Sequence, residues 1–214
     1  VTAPTREEKL DYLDELVGSY LLRDIFALEQ IKSSATLVNL LRLLAFQVGS
    51  EISLNEIATQ LSINVRTVQR YLDLLEKSFV IVRLGSFSRN LRSEIAQKSK
   101  YYFLDNGVIS QFNSLELRND IGSLWENFMF TERLKYRAYN SVRRQSYFWR
   151  TYSQQEIDFV EEGDGQLNAY DVKWSSKGHA SAQQDWTATY PDATFKVINR
   201  DNYLDFVIGS SEAK

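Results

Sequence analysis

Glu156-Ile157-Asp158-Phe159-Val160-Glu161-Glu162-Gly163-Asp164-Gly165-Gln166-Leu167-Asn168-Ala169-Tyr170-Asp171-Val172-Lys173 is the stretch on which the reading of the whole chain turns. Two strand-like runs flank Glu162-Gly163-Asp164-Gly165, which is a hairpin signal. A period of two sets Asp171 and Lys173 on one face of their strand and turns Tyr170, Val172 and Trp174 to the other, toward a core. Asp158 stands thirteen positions before Asp171, and a short antiparallel turn brings the two side by side. Carboxylates held a few ångströms apart repel each other, and a divalent cation relieves that repulsion. Such a cation polarises a phosphate oxygen and acidifies a bound water. Lys173, on the same face, is suited to orient or deprotonate that water, or to hold the charge of a pentavalent transition state. The same residue types also decorate solvated strand faces as surface salt bridges, and the pattern D-x-K arises often by chance.

The surroundings of the hairpin suggest a sheet. Tyr101-Tyr102-Phe103-Leu104-Asp105 and Tyr147-Phe148-Trp149 read as strands, as does Phe195 to Asn199. Asn106-Gly107 ends the first of these. A long helix is predicted over 121–139 and a shorter one over 181–190, before Pro191. Strands in meander order, a helix and one more strand argue for an α/β sheet core. Trp125 and Phe128, beside Glu126, are read as core, and Trp149 and Trp174 as packing residues rather than base-stacking platforms.

The first half is different. Leu10 to Leu28 has the three-and-four spacing of an amphipathic helix, and Ser34 to Val48 that of a second, stopped by Gly49. Ser53-Leu54-Asn55-Glu56 is a capping box opening a third helix through Leu61. After Ser62-Ile63-Asn64, a further helix runs from Arg66 to Lys77 with Val65, Val68, Tyr71, Leu72 and Leu75 on its buried stripe. Phe79 to Leu84 is β-rich, and Gly85 to Asn90 is a polar turn. Helices followed by a strand and a turn have the layout of a winged helix-turn-helix. The outward residues Arg66, Gln69 and Arg70, with Asn64 and Arg89, are candidate DNA contacts, since Arg and Gln suit phosphates and base edges. A winged helix serving as spacer or protein interface accounts for the same residues. The polar run from Arg92 to Lys100 reads as a boundary, giving a helical segment over 1–30, a winged helix over 31–95 and a sheet domain over 96–214.

Composition narrows the chemistry. The 214 residues contain no cysteine and one histidine, His179, read as an ordinary surface residue. Thiolate and His-rich sites are therefore excluded, and a metal here is held by oxygen, as Mg²⁺, Mn²⁺ or Ca²⁺ is. The lack of cysteine favours a cytoplasmic setting. No apolar run approaches the length of about 18 residues that a membrane span needs, and no signal peptide is visible. The chain opens on Val1 within a charged helical pattern, which reads as a fragment of a longer protein, with loss of an initiator Met as the alternative. A net charge of −3 counts against strong, autonomous DNA binding.

The hairpin pattern of Asp158, Asp171 and Lys173 resembles the PD-(D/E)xK nuclease superfamily. That resemblance implies a further acidic residue on the preceding helix, a place taken by Glu126 in Trp125-Glu126-Asn127-Phe128, with Gln155 and Glu156 as secondary candidates. Asp171 stands where Glu is commoner, which the pattern allows. The implied catalytic set is Lys173, Asp158, Asp171 and Glu126, and the implied ligands for Mg²⁺ or Mn²⁺ are Asp158, Asp171 and Glu126.

A wider succession is also present: Tyr20-Leu21-Leu22-Arg23-Asp24-Ile25, Leu40-Leu41-Arg42-Leu43-Leu44-Ala45, Tyr102-Phe103-Leu104-Asp105-Asn106-Gly107, Trp125-Glu126-Asn127-Phe128, Phe148-Trp149-Arg150, Glu156-Ile157-Asp158-Phe159 and Asp171-Val172-Lys173. In this order it resembles the C-terminal region of a prokaryotic family of AAA-type ATP-binding proteins. In that family a P-loop ATPase domain precedes a winged helix and a nuclease-like domain. The fold expected is thus α+β or α/β, with a helical segment and winged helix-turn-helix ahead of a nuclease-like mixed sheet. The sequence holds no G-x-x-x-x-G-K-[ST], so ATP belongs to the preceding ATPase domain. The partners implied are that domain and double-stranded DNA, with oligomers possible and no membrane. Two function classes remain open: a metal-dependent DNA-processing module, and a non-catalytic module that recognises nucleic acid or protein for the ATPase.

Overall fold

A computed structural model describes residues 5–18, 25, 34–88, 99–112, 121–151, 153–176 and 182–209. The chain is mixed α/β, with eight helices and seven strands among the described residues. It divides into two compact units, one made of Val1–Val82 with Tyr101–Asn119, the other of Arg83–Lys100 with Asp120–Lys214.

The first unit holds α1 (Arg6–Glu15), α2 (Ser34–Phe46), β1 (Glu51–Ile52), α3 (Leu54–Leu61), α4 (Val65–Lys77) and α5 (Asn106–Phe112). It also holds the start of β2 (Ile81–Ser86) and the end of β3 (Ser99–Phe103). Its strand order is β1-β3-β2. The helix boundaries follow local chemistry. The Glu8 N–H donates to Thr5 Oγ1 at 3.2 Å and caps α1. Much of the helix predicted beyond α1 falls at 19–24 and 26–28, outside the described residues. The α2 helix buries Leu37, Leu40, Leu41, Leu44 and Ala45, and Gly49, at φ 78°, follows it in the left-handed region that favours glycine. Ser53 Oγ caps α3 by accepting from Glu56 N at 3.4 Å. Glu56 Oε1 in turn accepts from Gln60 Nε2 at 3.3 Å, one turn on.

Two readings in this unit shift. The strand predicted from Phe79 begins at Ile81, because Phe79 has φ 55° and is 80 % exposed, turning the chain before the strand starts. Asn106-Gly107, read as the end of a strand, opens α5. The Gly107 N–H donates to Asp105 Oδ1 at 2.6 Å. A Cβ on Gly107 would lie 2.9 Å from Leu13 Cδ2 of α1, so a larger residue there would have to displace the Leu13 side chain.

The second unit contains the remainder of β2 and β3, α6 (Ile121–Tyr139), β4 (Gln145–Arg150), β5 (Glu156–Gly163), β6 (Gln166–Val172), α7 (Gln183–Thr189), β7 (Thr194–Ile198) and α8 (Tyr203–Ile208). Its sheet runs β3-β2-β4-β5-β6-β7. β2 and β4 are parallel, β4, β5 and β6 antiparallel, and β6 and β7 parallel. Gly163 pairs with Gln166, leaving Asp164-Gly165 as a two-residue turn. Both turn residues have positive φ, 54° and 72°, the signature of a type I′ hairpin.

β6 is buried on both faces, with Leu167 through Val172 all inside. On one side Trp186 of α7 packs with Val160, Leu167 and Ala169. On the other, Phe206 of α8 lies 4.8 Å from Tyr170 and 6.2 Å from Phe159, ring centre to ring centre, and Phe130 of α6 lies 5.1 Å from Phe159. The alternation read from the sequence assigned only the Tyr170 and Val172 face to a core. Helices on both sides of the strand enclose the Asp171 face as well. Asn127, Met129 and Phe130 are the buried residues of α6 near its start, whereas Trp125 is half-buried and Phe128 exposed. The helical phase is therefore offset from the one that reads both aromatics as core. Ser99 and Lys100, taken as the end of a polar linker, form the buried start of β3.

Candidate active site

Asp158 lies near the start of β5 and Asp171 near the end of β6, where the hairpin opens. The last backbone pair is Phe159 with Tyr170, so one further step sets Asp158 opposite Asp171. Here a side chain takes over from the ladder: the Val172 N–H donates to Asp158 Oδ2 at 2.7 Å. That bond fixes the Asp158 carboxylate beside Asp171. Lys173 Nζ is 2.7 Å from Asp171 Oδ1 and 4.0 Å from Asp158 Oδ2. The shorter contact is a charge-assisted pairing of the ammonium with the buried Asp171 carboxylate.

Asp171 is 2 % exposed. Burial, then the negative charge of Asp158 and a hydrogen bond shared with it, push its carboxyl up to about 7 against the pull of Lys173. Burial opposes the Lys173 charge, but Asp158 and Asp171 outweigh it and hold the ammonium above its ordinary value. A carboxyl raised this way binds a proton in the folded chain that the unfolded chain has released. Its contribution to stability is full below the unfolded value of 3.8 and is lost as pH rises through about 7. Asp171→Asn removes the charge at little cost in shape. We expect it to melt above the parent at about pH 8 without divalent ions, by about 2–4 °C for each kcal/mol recovered. Near pH 3, below the unfolded value, the two should melt together. A parent that melts equally with the variant at both pH values would show that Asp171 titrates normally.

Glu126, on α6, and Glu156, at the start of β5, meet a different cation. Lys100 Nζ lies 3.3 Å from Glu126 Oε1 and 2.5 Å from Glu156 Oε1. Arg150 NH1 is 3.4 Å from Glu156 Oε2. Gln155 Oε1 is buried and accepts no hydrogen bond. Among the described residues no three acidic or histidine side chains converge as a group able to hold a metal ion. The structure thus brings together Asp158, Asp171 and Lys173, and sets Glu126 in an ion pair with Lys100 rather than in a three-carboxylate cluster. The donor set of the aspartate pair, two carboxylates side by side with Asp171 buried, fits a divalent ion that keeps most of its water shell. Mg²⁺ is commonly held in that way, by one or two carboxylates. Sequence reasoning missed Lys100. The signal available was the β-rich run Tyr101-Tyr102-Phe103 directly after it, which extends back by two residues.

In the first unit, Asn64, Arg66, Thr67, Gln69, Arg70 and Asp73 line a concave surface of about 430 Å³ on α4. Asn64 is occupied as the cap of that helix, accepting from Thr67 N at 2.8 Å and Thr67 Oγ1 at 3.0 Å. Gln69 Nε2 donates to Asp73 Oδ1 at 2.7 Å. Arg66 and Arg70 are exposed, and Arg70 lies over the Tyr71 ring. The buried stripe is Val68, Tyr71, Leu72, Leu74 and Leu75, with Val65 left exposed at the first turn. Arg89 and His179 lie outside the described residues. Trp149 packs at 5.3 Å on Trp186, and Trp174 at 5.2 Å on Trp125, so both are packing residues as read. No helix among the described residues is long and apolar enough to cross a membrane.

A mixed sheet enclosed by helices, with an acidic pair and a lysine where its central hairpin opens, defines the class of domain. The chain belongs to the family described as "Domain of unknown function (DUF8612)", which matches residues 1–119. A second family description, "Domain of unknown function (DUF4143)", matches residues 121–209. Uncharacterized proteins of Mycobacterium bovis and Mycobacterium tuberculosis are each 26 % identical over 181 residues, covering 82 % of this chain and 40 % of their own length. An uncharacterized protein of Haemophilus influenzae is 26 % identical over 128 residues, 58 % of this chain and 32 % of its own. The chain therefore spans less than half the length of these curated relatives. No solved structure matches it.

Proposed function

We propose that this chain is the C-terminal part of a cytoplasmic AAA-type ATPase, and that its second unit is a PD-(D/E)xK nuclease-like domain hydrolysing phosphodiesters with Mg²⁺ or Mn²⁺. The observation that carries the reading is the Asp158–Asp171 pair with Lys173 against it. The sequence match to DUF4143, which is often found with AAA ATPase-like proteins, supports the link to an ATPase. ATP belongs to the preceding domain, which is a partner of this chain along with duplex DNA.

Asp158, held by the Val172 amide, and Asp171 are the ligands in this reading. When bound, the divalent ion supplies Lewis-acid polarisation of a phosphate oxygen and acidifies water. Lys173 is 35 % exposed at its side chain and so reaches substrate. Its ammonium moves from Asp171 to a phosphoryl oxygen, where it holds the charge that develops there. Glu126 stays an outer group, oriented by Lys100. The test is nicking of plasmid and branched DNA with Mn²⁺ or Mg²⁺ by the parent and by Asp171→Ala. The parent is expected to nick, and the variant to lose both nicking and ion binding, since one carboxylate holds Mg²⁺ weakly against its hydration shell. Equal nicking by both would identify a contaminant, and no nicking by the parent within the full ATPase would leave a non-catalytic module.

One observation favours that second reading in part. The first unit presents exposed Arg66 and Arg70 on α4, the recognition helix if α3, α4 and β2 form a winged helix-turn-helix. In a duplex-binding titration over salt, Arg66→Ala and Arg70→Ala should each weaken binding. Each should also lower the slope of log affinity against log salt by about 0.9 for every phosphate that is no longer neutralised. Superimposable curves for parent and variants would assign α4 to a protein interface.

A further inference from the structure

Lys100 plays no part in the substrate chemistry above, yet it is held more closely than any surface lysine needs to be. Its side chain is 1 % exposed, with the ammonium between Glu156 Oε1 and Glu126 Oε1 and 5.4 Å from the Phe148 ring centre. The charge of Asp158 also acts on it. Burial disfavours the ammonium, but Glu126, Asp158 and Glu156 outweigh burial and hold it above the usual lysine range. Burying a lysine costs desolvation that only close partners return. At 1 % exposure it does not meet a nucleic-acid substrate. Its effect is on the carboxylates.

Without Lys100, Glu126 and Glu156 would face each other with no ammonium between them, while Arg150 would stay on the outer oxygen of Glu156. Clustered carboxylates of that kind draw in divalent ions, and two-ion phosphodiester sites are built from them. We propose that Lys100 is a positioning residue that takes the place of a second divalent ion, so that the site binds one ion, on Asp158 and Asp171. The proposal rests on the metal-dependent reading above. It agrees with the ammonium lying between one oxygen of each glutamate, and with Arg150 holding the second oxygen of Glu156. A fixed ammonium supplies charge without coordination sites. Glu126 and Glu156 are thereby held in place but kept from acting as ligands.

The experiment counts Mn²⁺ bound per chain, by calorimetric titration and by electron paramagnetic resonance of the free ion. The parent is expected to bind one ion and Asp171→Asn none. Lys100→Met, which keeps the volume and removes the charge, should bind two, and Lys100→Met with Glu126→Gln should return to one. Two ions on the parent, or one on Lys100→Met, would overturn the proposal. No ion on the parent would instead overturn the metal-dependent reading itself. If Lys100→Met is unstable, melting with and without Mn²⁺ decides the matter. Mn²⁺ should raise the melting point of the variant more than that of the parent, and equal rises would reject the substitution of an ion by Lys100.

Discussion

Lys173→Ala should lose about 10²–10³ of the phosphodiester cleavage rate, the cost of removing one donor aimed at developing negative charge, while its affinity for Mn²⁺ stays level or rises. The two halves of that result come from the same geometry. The ammonium sits 2.7 Å from Asp171 Oδ1, where it competes with a divalent ion for the carboxylate. Deleting it frees the ligand and removes a like charge from the ion's neighbourhood. The chemistry suffers because Lys173 is the partly exposed cation in contact with the pair, whereas Lys100 is enclosed and engaged with Glu126 and Glu156. Parallel measurement of nicking rate and Mn²⁺ titration separates the roles. A variant that cleaves as fast as the parent would remove Lys173 from the reaction, and one that loses the ion would make it part of the binding site.

A second large effect is expected at Glu161, which lies on β5 three residues beyond Asp158 and is 0 % exposed. Arg133 grips it with two hydrogen bonds of 2.9 and 2.8 Å, Arg137 lies at 3.3 Å and Arg144 at 4.0 Å. Arg133 is itself packed against the rings of Phe206, Tyr136 and Tyr170 and donates to the Phe206 carbonyl at 2.9 Å. One carboxylate thus serves three guanidiniums, two of them largely enclosed. Glu161→Ala leaves those charges without a counterion, which costs about 3–5 kcal/mol. For a chain of this size that corresponds to a melting point lower by roughly 6–20 °C. Adding Arg133→Ala should cost less than the sum of the single changes, because the second deletion removes one of the charges the first one stranded. Simple additivity would mean that the cluster is solvated in the folded protein.

How far such features were legible depends on whether their causes are local. The α6 helix was read over its full span because its ends and period lie in its own residues. The hairpin was legible for the same reason, with Asp164-Gly165 supplying the two positive φ values its turn needs. The pairing of Asp158 with Asp171 followed from that turn. Lys100 was not legible, because its burial is decided by Glu126 and Glu156, far along the chain, and a lysine in a polar run carries no mark of such partners. Glu161 was hidden in the same way by Arg133, Arg137 and Arg144. The α8 helix passed unnoticed because it is short, and Phe206 is its one buried residue.

The order in which the chain visits its two units has a practical consequence for dividing the protein. β2 and the start of β3 belong with the sheet, yet residues 101–119 return to the helical unit. No single cut separates the two parts. A fragment beginning at residue 121, where the second family match starts, would lack Lys100 and the segment that pairs with β4. It would leave Glu126 and Glu156 near one another without the ammonium between them, and it would bare a strand edge of the kind that recruits other chains. Such a fragment is expected to aggregate for want of a strand and a lysine that, along the chain, lie on the far side of the helical unit's last segment. Failure of the isolated piece would then say nothing about the chemistry of Asp158, Asp171 and Lys173.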